Sequence, residues 1–171
     1  MTIENNDATD TNLNDLERTL NDTVFENFDD GLYIGMMSGT SLDGMDAVLC
    51  QFSDKINSSN SGNEESTQQP MQLLATHSQD FPPRLREVLL ALCQPNGIQA
   101  LTPIKDEPNS ELDWFGWASK AYAEFASDVI NSLLQQSNTD VESVLAIGCH
   151  GQTVRHRPQM GFSLQLVDAN I

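Results

Sequence analysis

Between Gly31 and Val167 the apolar residues come in short runs, and three such runs follow one another before any helical spacing begins. That order constrains the fold more than any other feature. Leu32–Met37 and Met45–Phe52 are separated only by the small, polar stretch Ser38–Gly44, and Met71–His77 follows a polar interruption. Short apolar runs bounded by glycine, serine, asparagine and proline read as strands, and three in succession predict an antiparallel meander rather than a strand–helix–strand unit. Helical periodicity starts only after Pro82-Pro83. Leu85, Val88, Leu89, Leu92 and Cys93 fall on one helical face, and Pro95-Asn96-Gly97 ends the pattern. Ser110 and Asp113 have the spacing of a capping box opening a longer helix, whose Ala118, Ala121, Tyr122, Phe125, Val129, Ile130 and Leu133 form one stripe that reads as core. Val144–Cys149 reads as a compact buried strand and Ser163–Val167 as a further, alternating one. The expected order is β-β-β-α-α-β-β, an α/β fold with a β-meander and helices packed on a mixed sheet.

The polar residues are concentrated rather than spread. Residues 1–30 hold nine acids and one base, Arg18, and read as an acidic, mobile extension; Leu13, Leu16 and Leu20 would allow a short amphipathic turn within it. Asp54–Pro70 is dominated by Ser, Asn, Gln and Glu and reads as a surface insertion, so the folded part is expected at 31–171. The whole chain carries 25 acidic against 8 basic residues, a formal charge of -17. Neutralising phosphates along a nucleic acid needs a basic face, and binding an anionic membrane surface needs the same, so both partner classes are disfavoured. No apolar run approaches the length of a membrane helix, and the first thirty residues lack the basic start and apolar centre of a signal peptide; a cytoplasmic address is expected. Cys50, Cys93 and Cys149 lie far apart with no CxxC pair. Each is expected to be a small core hydrophobe rather than part of a disulfide or zinc site.

Two loops stand out. In Ser38-Gly39-Thr40-Ser41-Leu42-Asp43-Gly44, two glycines allow backbone amides to turn inward and three hydroxyls supply further donors for phosphate oxygens. The loop is not a Walker A sequence, a dinucleotide fingerprint or a nucleophile elbow, and a hairpin turn with nothing bound has the same composition. Asp43 and Asp46 add something a plain turn does not need. A carboxylate beside bound phosphate repels it unless Mg²⁺ lies between, so the pair points to a metal–nucleotide. In His150-Gly151-Gln152-Thr153-Val154-Arg155-His156-Arg157-Pro158, two of the eight cations and two of the three histidines leave the end of a strand as a loop, the place where α/β sheets put ligands. His150 and His156 are too few and too oddly spaced for zinc. His150 as a base for Ser41 is one alternative. Another is His150 closing a strand end, with Arg155 and Arg157 pairing with surface acids.

Tyr33–Asp46, Gly148–Pro158 and the closing Leu164-Gln165-Leu166-Val167-Asp168-Ala169-Asn170 resemble the anhydro-N-acetylmuramic acid kinases of bacterial cell-wall recycling, and the Phe81-Pro82-Pro83 helix start fits as well. The resemblance covers Gly31–Ile171 apart from the polar insertion. It implies a ribonuclease H-like half-domain of the superfamily that includes sugar kinases, heat-shock ATPases and actin, with three strands, a helix and a strand in order; the two helices expected before the fourth strand here depart from that order. It implies ATP-dependent phosphorylation of the sugar's O6 with opening of the anhydro ring by water. By motif position Gly39, Thr40, Ser41, Leu42, Asp43, Gly44, Met45 and Asp46 would hold the ATP phosphates, and His150, Gly151, Gln152 and Thr153 would help form the sugar pocket. Superfamily members usually carry an acid in the first strand just before the phosphate turn, where this chain has Met36 and Met37, so Asp43 or Asp46 would have to serve Mg²⁺. The family is expected to be about twice this length, with its catalytic base beyond Ile171, so this chain alone would not turn over. The full-length protein has room to be a homodimer. A non-catalytic nucleotide-binding module of the superfamily and an acidic scaffold whose glycines are only turns are the competing readings.

Overall fold

The computed structural model describes residues 30–53, 71–102 and 104–168, so the expectations for residues 1–29 and for the insertion at 54–70 lie outside the described residues. The meander is present. Strands β1 (Gly31–Met37), β2 (Gly44–Phe52) and β3 (Met71–Asp80) run antiparallel, and β4 (Val144–Cys149) lies parallel to β1, giving the sheet order β3-β2-β1-β4. The two-residue period of a strand puts Ile34 and Met36 of β1 with Met45, Ala47 and Leu49 of β2 on one buried face. A register shift between Leu49 and Cys50 interrupts the β2–β3 ladder beyond that face.

Two helices cover this face. Helix α1 (Pro83–Cys93) starts with proline in its first turn, where the missing amide costs no helical bond, and buries Leu85, Val88, Leu89 and Leu92. Helix α2 (Glu111–Ser137) opens at Ser110, whose Oγ accepts the Asp113 N–H at 3.2 Å, and ends at Asn138 in the left-handed conformation. Its stripe Trp114, Ala118, Tyr122, Phe125, Val129 and Leu133 is buried throughout, each residue three or four positions after the last. Each fully buried Leu or Val here contributes about 1.5–3 kcal/mol of transfer free energy. Arg84 ties α1 to the connection before α2: it pairs with Glu107 and Glu87 and stacks over the Trp114 ring at 5.3 Å. Both helices therefore do precede the fourth strand.

Three expectations need correction. Strand β4 is not buried: Leu145 and Ile147 are 54% and 49% exposed, because β4 is an edge strand and α2 packs over β2 and β3 instead. The stretch after His150 is not all loop. Gln152–Arg157 forms β5, pairs antiparallel with β6 (Phe162–Leu166), and makes a separate hairpin anchored in the core by Val154 and Leu166. Of the cysteines only Cys50 is buried. Cys93 is half-buried and Cys149, on the edge strand, is exposed. Burial pushes the Cys50 and Cys93 thiols up, so both stay protonated and inert.

Candidate functional site

The parallel pairing of β1 with β4 brings the two loops together. Met36 lies opposite Cys149, and the pair is extended by the His150 N–H donating to the Met36 carbonyl at 3.3 Å. Both segments thus leave the sheet side by side at the carboxyl ends of its parallel strands, the end at which α/β sheets generally bind ligands.

The first loop is built on a turn. The Leu42 N–H donates to the Gly39 carbonyl at 3.3 Å, and Leu42 itself sits at φ 54 with its side chain 3% exposed. Among the described residues the other non-glycine positions with positive φ are Asn96, Asp106 and Asn138, types that tolerate it; a leucine there costs about 1–2 kcal/mol and is held by a side chain locked into the core. Residues entering the left-handed region after a turn direct successive amides to one side. Gly44 is obligatory for a different reason. A Cβ there would stand 2.4 Å from the Gln79 carbonyl oxygen of β3. At Gly39 the nearest atom to an added Cβ is Ser41 Oγ at 3.5 Å, so nothing in the fold itself excludes a side chain.

A groove of about 340 Å³ opens beside this loop, walled by Gly39, Ser41, Asp43, Asp46 and the end of β3, Ser78–Asp80. The Ser41 hydroxyl donates to Asp43 Oδ1 at 2.5 Å and the Ser78 hydroxyl to Asp46 Oδ1 at 2.5 Å. The Ser41 bond above all, then the Asp43 and Gly44 amides and the Arg86 charge, hold the Asp43 carboxyl below its ordinary value. Hard carboxylate oxygens in a groove suit Mg²⁺. Among the described residues no three His, Cys, Asp or Glu side chains converge to hold a metal ion. The residues therefore fit Mg²⁺ that takes one or two carboxylates and completes its shell with phosphate and water. Thr40 is exposed at the loop's tip, whereas Leu42 and Met45 are buried and shape the loop from below.

The second segment is placed differently. His150 is exposed, with Nδ1 3.3 Å from the Gly151 carbonyl oxygen. Gly151, at φ 72, approaches the Leu166 backbone so closely that a Cβ would lie 2.5 Å from its oxygen. Gln152 is 4% exposed, donates through Nε2 to the Thr153 carbonyl, and leaves Oε1 buried without a partner. Thr153 Oγ1 accepts from Gln165. Ser41 and His150 have other partners, so no nucleophile–base pair forms between them. Arg155 pairs with Glu111 at 2.7 Å, the surface ion pair expected as an alternative, and Arg157 donates to the His156 carbonyl.

Sequence reasoning missed Ser78, Gln79 and Asp80 as groove wall. The signal was the β2–β3 register, which sets Asp46 opposite Ser78 and Gly44 opposite Asp80. The Ser38 hydroxyl, counted in the sequence among the phosphate donors, is instead buried and meets the Tyr122 hydroxyl at 2.9 Å, a pairing that sequence reasoning missed. A tyrosine in an otherwise apolar stripe announces a buried hydroxyl that needs a partner.

The sequence profile of the family Anhydro-N-acetylmuramic acid kinase matches residues 31–171. The anhydro-N-acetylmuramic acid kinases of Psychrobacter arcticus and Psychrobacter cryohalolentis are each 82% identical over 162 residues, 95% of this chain but only 37% and 36% of the relatives. That of Shewanella pealeana is 37% identical over 140 residues, 81% of this chain and 31% of the relative. The chain thus spans little more than a third of the relatives' length, which makes them nearer three times than twice as long.

Proposed function

This chain belongs to the anhydro-N-acetylmuramic acid kinase family, and from that premise we propose that it supplies the phosphate loop and part of the sugar pocket of an ATP-dependent kinase acting on 1,6-anhydro-N-acetylmuramic acid. Water adds to C1 of the sugar, the bond from C1 to O6 breaks, and O6 forms a new bond to the γ-phosphorus of ATP. ADP leaves and the product is N-acetylmuramic acid 6-phosphate; the proton from water goes to a base that the family resemblance puts beyond Ile171. Phosphoryl transfer of this kind requires positioning and charge neutralisation more than covalent chemistry, and this chain's part is the positioning.

The observation that carries the reading is the pairing of the two family motifs at one end of β1 and β4, through the His150 N–H and the Met36 carbonyl. The Thr40 and Ser41 amides of the turn would hold phosphate oxygens, the Leu42 N–H and the Ser41 hydroxyl being engaged by Gly39 and Asp43, while Asp43 and Asp46 would hold Mg²⁺, which would supply positive charge to the developing phosphate charge when bound. His150, Gly151, Gln152 and Thr153 would face the sugar, the buried Gln152 Oε1 being an acceptor in want of a donor. The sheet order β3-β2-β1-β4 supports a ribonuclease H-like half-domain at 31–171, although the two helices between β3 and β4 depart from its single-helix order. On this reading the protein serves reuse of cell-wall amino sugars in the cytoplasm, and the full-length protein can be a homodimer.

The test uses a full-length kinase in which these residues replace the matching part of the Psychrobacter arcticus relative. ATP with magnesium should give a calorimetric binding isotherm, and Gly39→Val should weaken it at least about tenfold, because the added side chain enters the groove rather than the core. An isotherm unchanged by Gly39→Val, or none from the parent protein, refutes the phosphate loop. The 171-residue chain alone should release no ADP from ATP and the anhydro sugar; release at a kinase-like rate contradicts the placement of the base.

A further inference from the structure

The loop between β1 and β2 is gripped at both ends by one aromatic pair. At its start Ser38, 7% exposed, shares a hydrogen bond of 2.9 Å with the Tyr122 hydroxyl, although the two residues are 84 positions apart. At its end the Asp43 carbonyl accepts the Phe81 N–H at 2.9 Å. Phe81 in turn packs on Tyr122, with ring centroids 6.0 Å apart, and on Phe125, the next buried residue of α2, at 5.1 Å. Both ends of the loop are therefore referred to a single turn of α2.

A phenylalanine would fill the space of Tyr122, which is 1% exposed. The hydroxyl adds nothing to apolar packing and must be desolvated to sit there, so its return is directional: it fixes where Ser38, and hence the adjacent Gly39, stands relative to the helix.

We infer that Tyr122, acting through Ser38, is a positioning residue for the nucleotide phosphates, a role that rests on the phosphate-loop reading given above. In the full-length kinase, Tyr122→Phe and Ser38→Ala should each raise the KM for ATP about five- to tenfold, the range expected for one net hydrogen bond. The KM for the sugar should stay within twofold. The double variant should be no worse than the poorer single, because both remove one contact. A KM for ATP within twofold of the parent in Ser38→Ala or in a folded Tyr122→Phe, or single effects that multiply in the double, overturns the proposal. Should Tyr122→Phe fail to fold, Ser38→Ala decides alone. Gly39→Val separates the two ideas: if it raises the KM for ATP while Ser38→Ala does not, the phosphate loop stands and the positioning role falls, and if it too has no effect the loop reading falls first.

Discussion

Gly44→Ala is the perturbation whose cost the structure fixes most closely. The added Cβ would meet the Gln79 carbonyl oxygen at 2.4 Å, the Gln79 carbonyl carbon at 3.0 Å and the Asp80 Cα at 3.1 Å. All three are backbone atoms, so no side chain can swing away. Relief requires the end of β3 to withdraw by about 1 Å from β2, a shift typical of overpacking that costs about 1–3 kcal/mol. The same withdrawal stretches the Phe81 N–H bond to the Asp43 carbonyl, worth about 1 kcal/mol more. The sum, about 2–4 kcal/mol, corresponds to a fall in Tm on the order of 10 °C for a domain of this size. Gly39→Ala is the internal control: its Cβ has ordinary contact distances, and stability should stay within about 0.5 kcal/mol of the parent. Thermal and urea denaturation followed by circular dichroism measure both. Gly44→Ala within 0.5 kcal/mol of the parent would refute the reasoning, since the β2–β3 contact would then be looser than its geometry states.

Two further outcomes follow from the same geometry. The Asp43 carboxyl is held below its ordinary value of 3.8 chiefly by Ser41, so its ionised form stabilises the fold above that pH and the contribution disappears as pH falls through the lower folded value. Ser41→Ala should move the Asp43 carboxyl titration, read by NMR, upward toward 3.8; no upward movement would show that the serine is not the main cause. Leu133→Ala removes a side chain with no exposed surface and should cost about 2–5 kcal/mol in urea denaturation, whereas a loss under 1 kcal/mol would mean that the α2 stripe is less tightly packed than described.

Much of this architecture is legible in the residues, for reasons that also explain where legibility ends. The α2 stripe repeats every three or four positions over more than five turns, and the Ser110 cap and Asn138 end are local chemistry, so the helix needed no tertiary information. The meander followed from three strands without a helix between them. Exposure of β4 was not legible, because Val-Leu-Ala-Ile is equally apolar in the middle of a sheet and at its edge; only pairing tells them apart. Strand β5 alternates, but with Gln152 and Val154 turned inward and Thr153 and Arg155 outward, and a buried glutamine looks like loop composition. Of the candidate site, the motifs were visible while Ser78, Asp80 and Tyr122 were not, since they enter through strand register and helix packing.

Leu42 has a consequence for how a ligand would meet this surface. Because burial of its side chain holds residue 42 at positive φ, the curve of the loop is made during folding and is already present when an anion arrives. The conformational entropy of shaping the loop is thereby charged to the folding reaction, and the binding step is relieved of it.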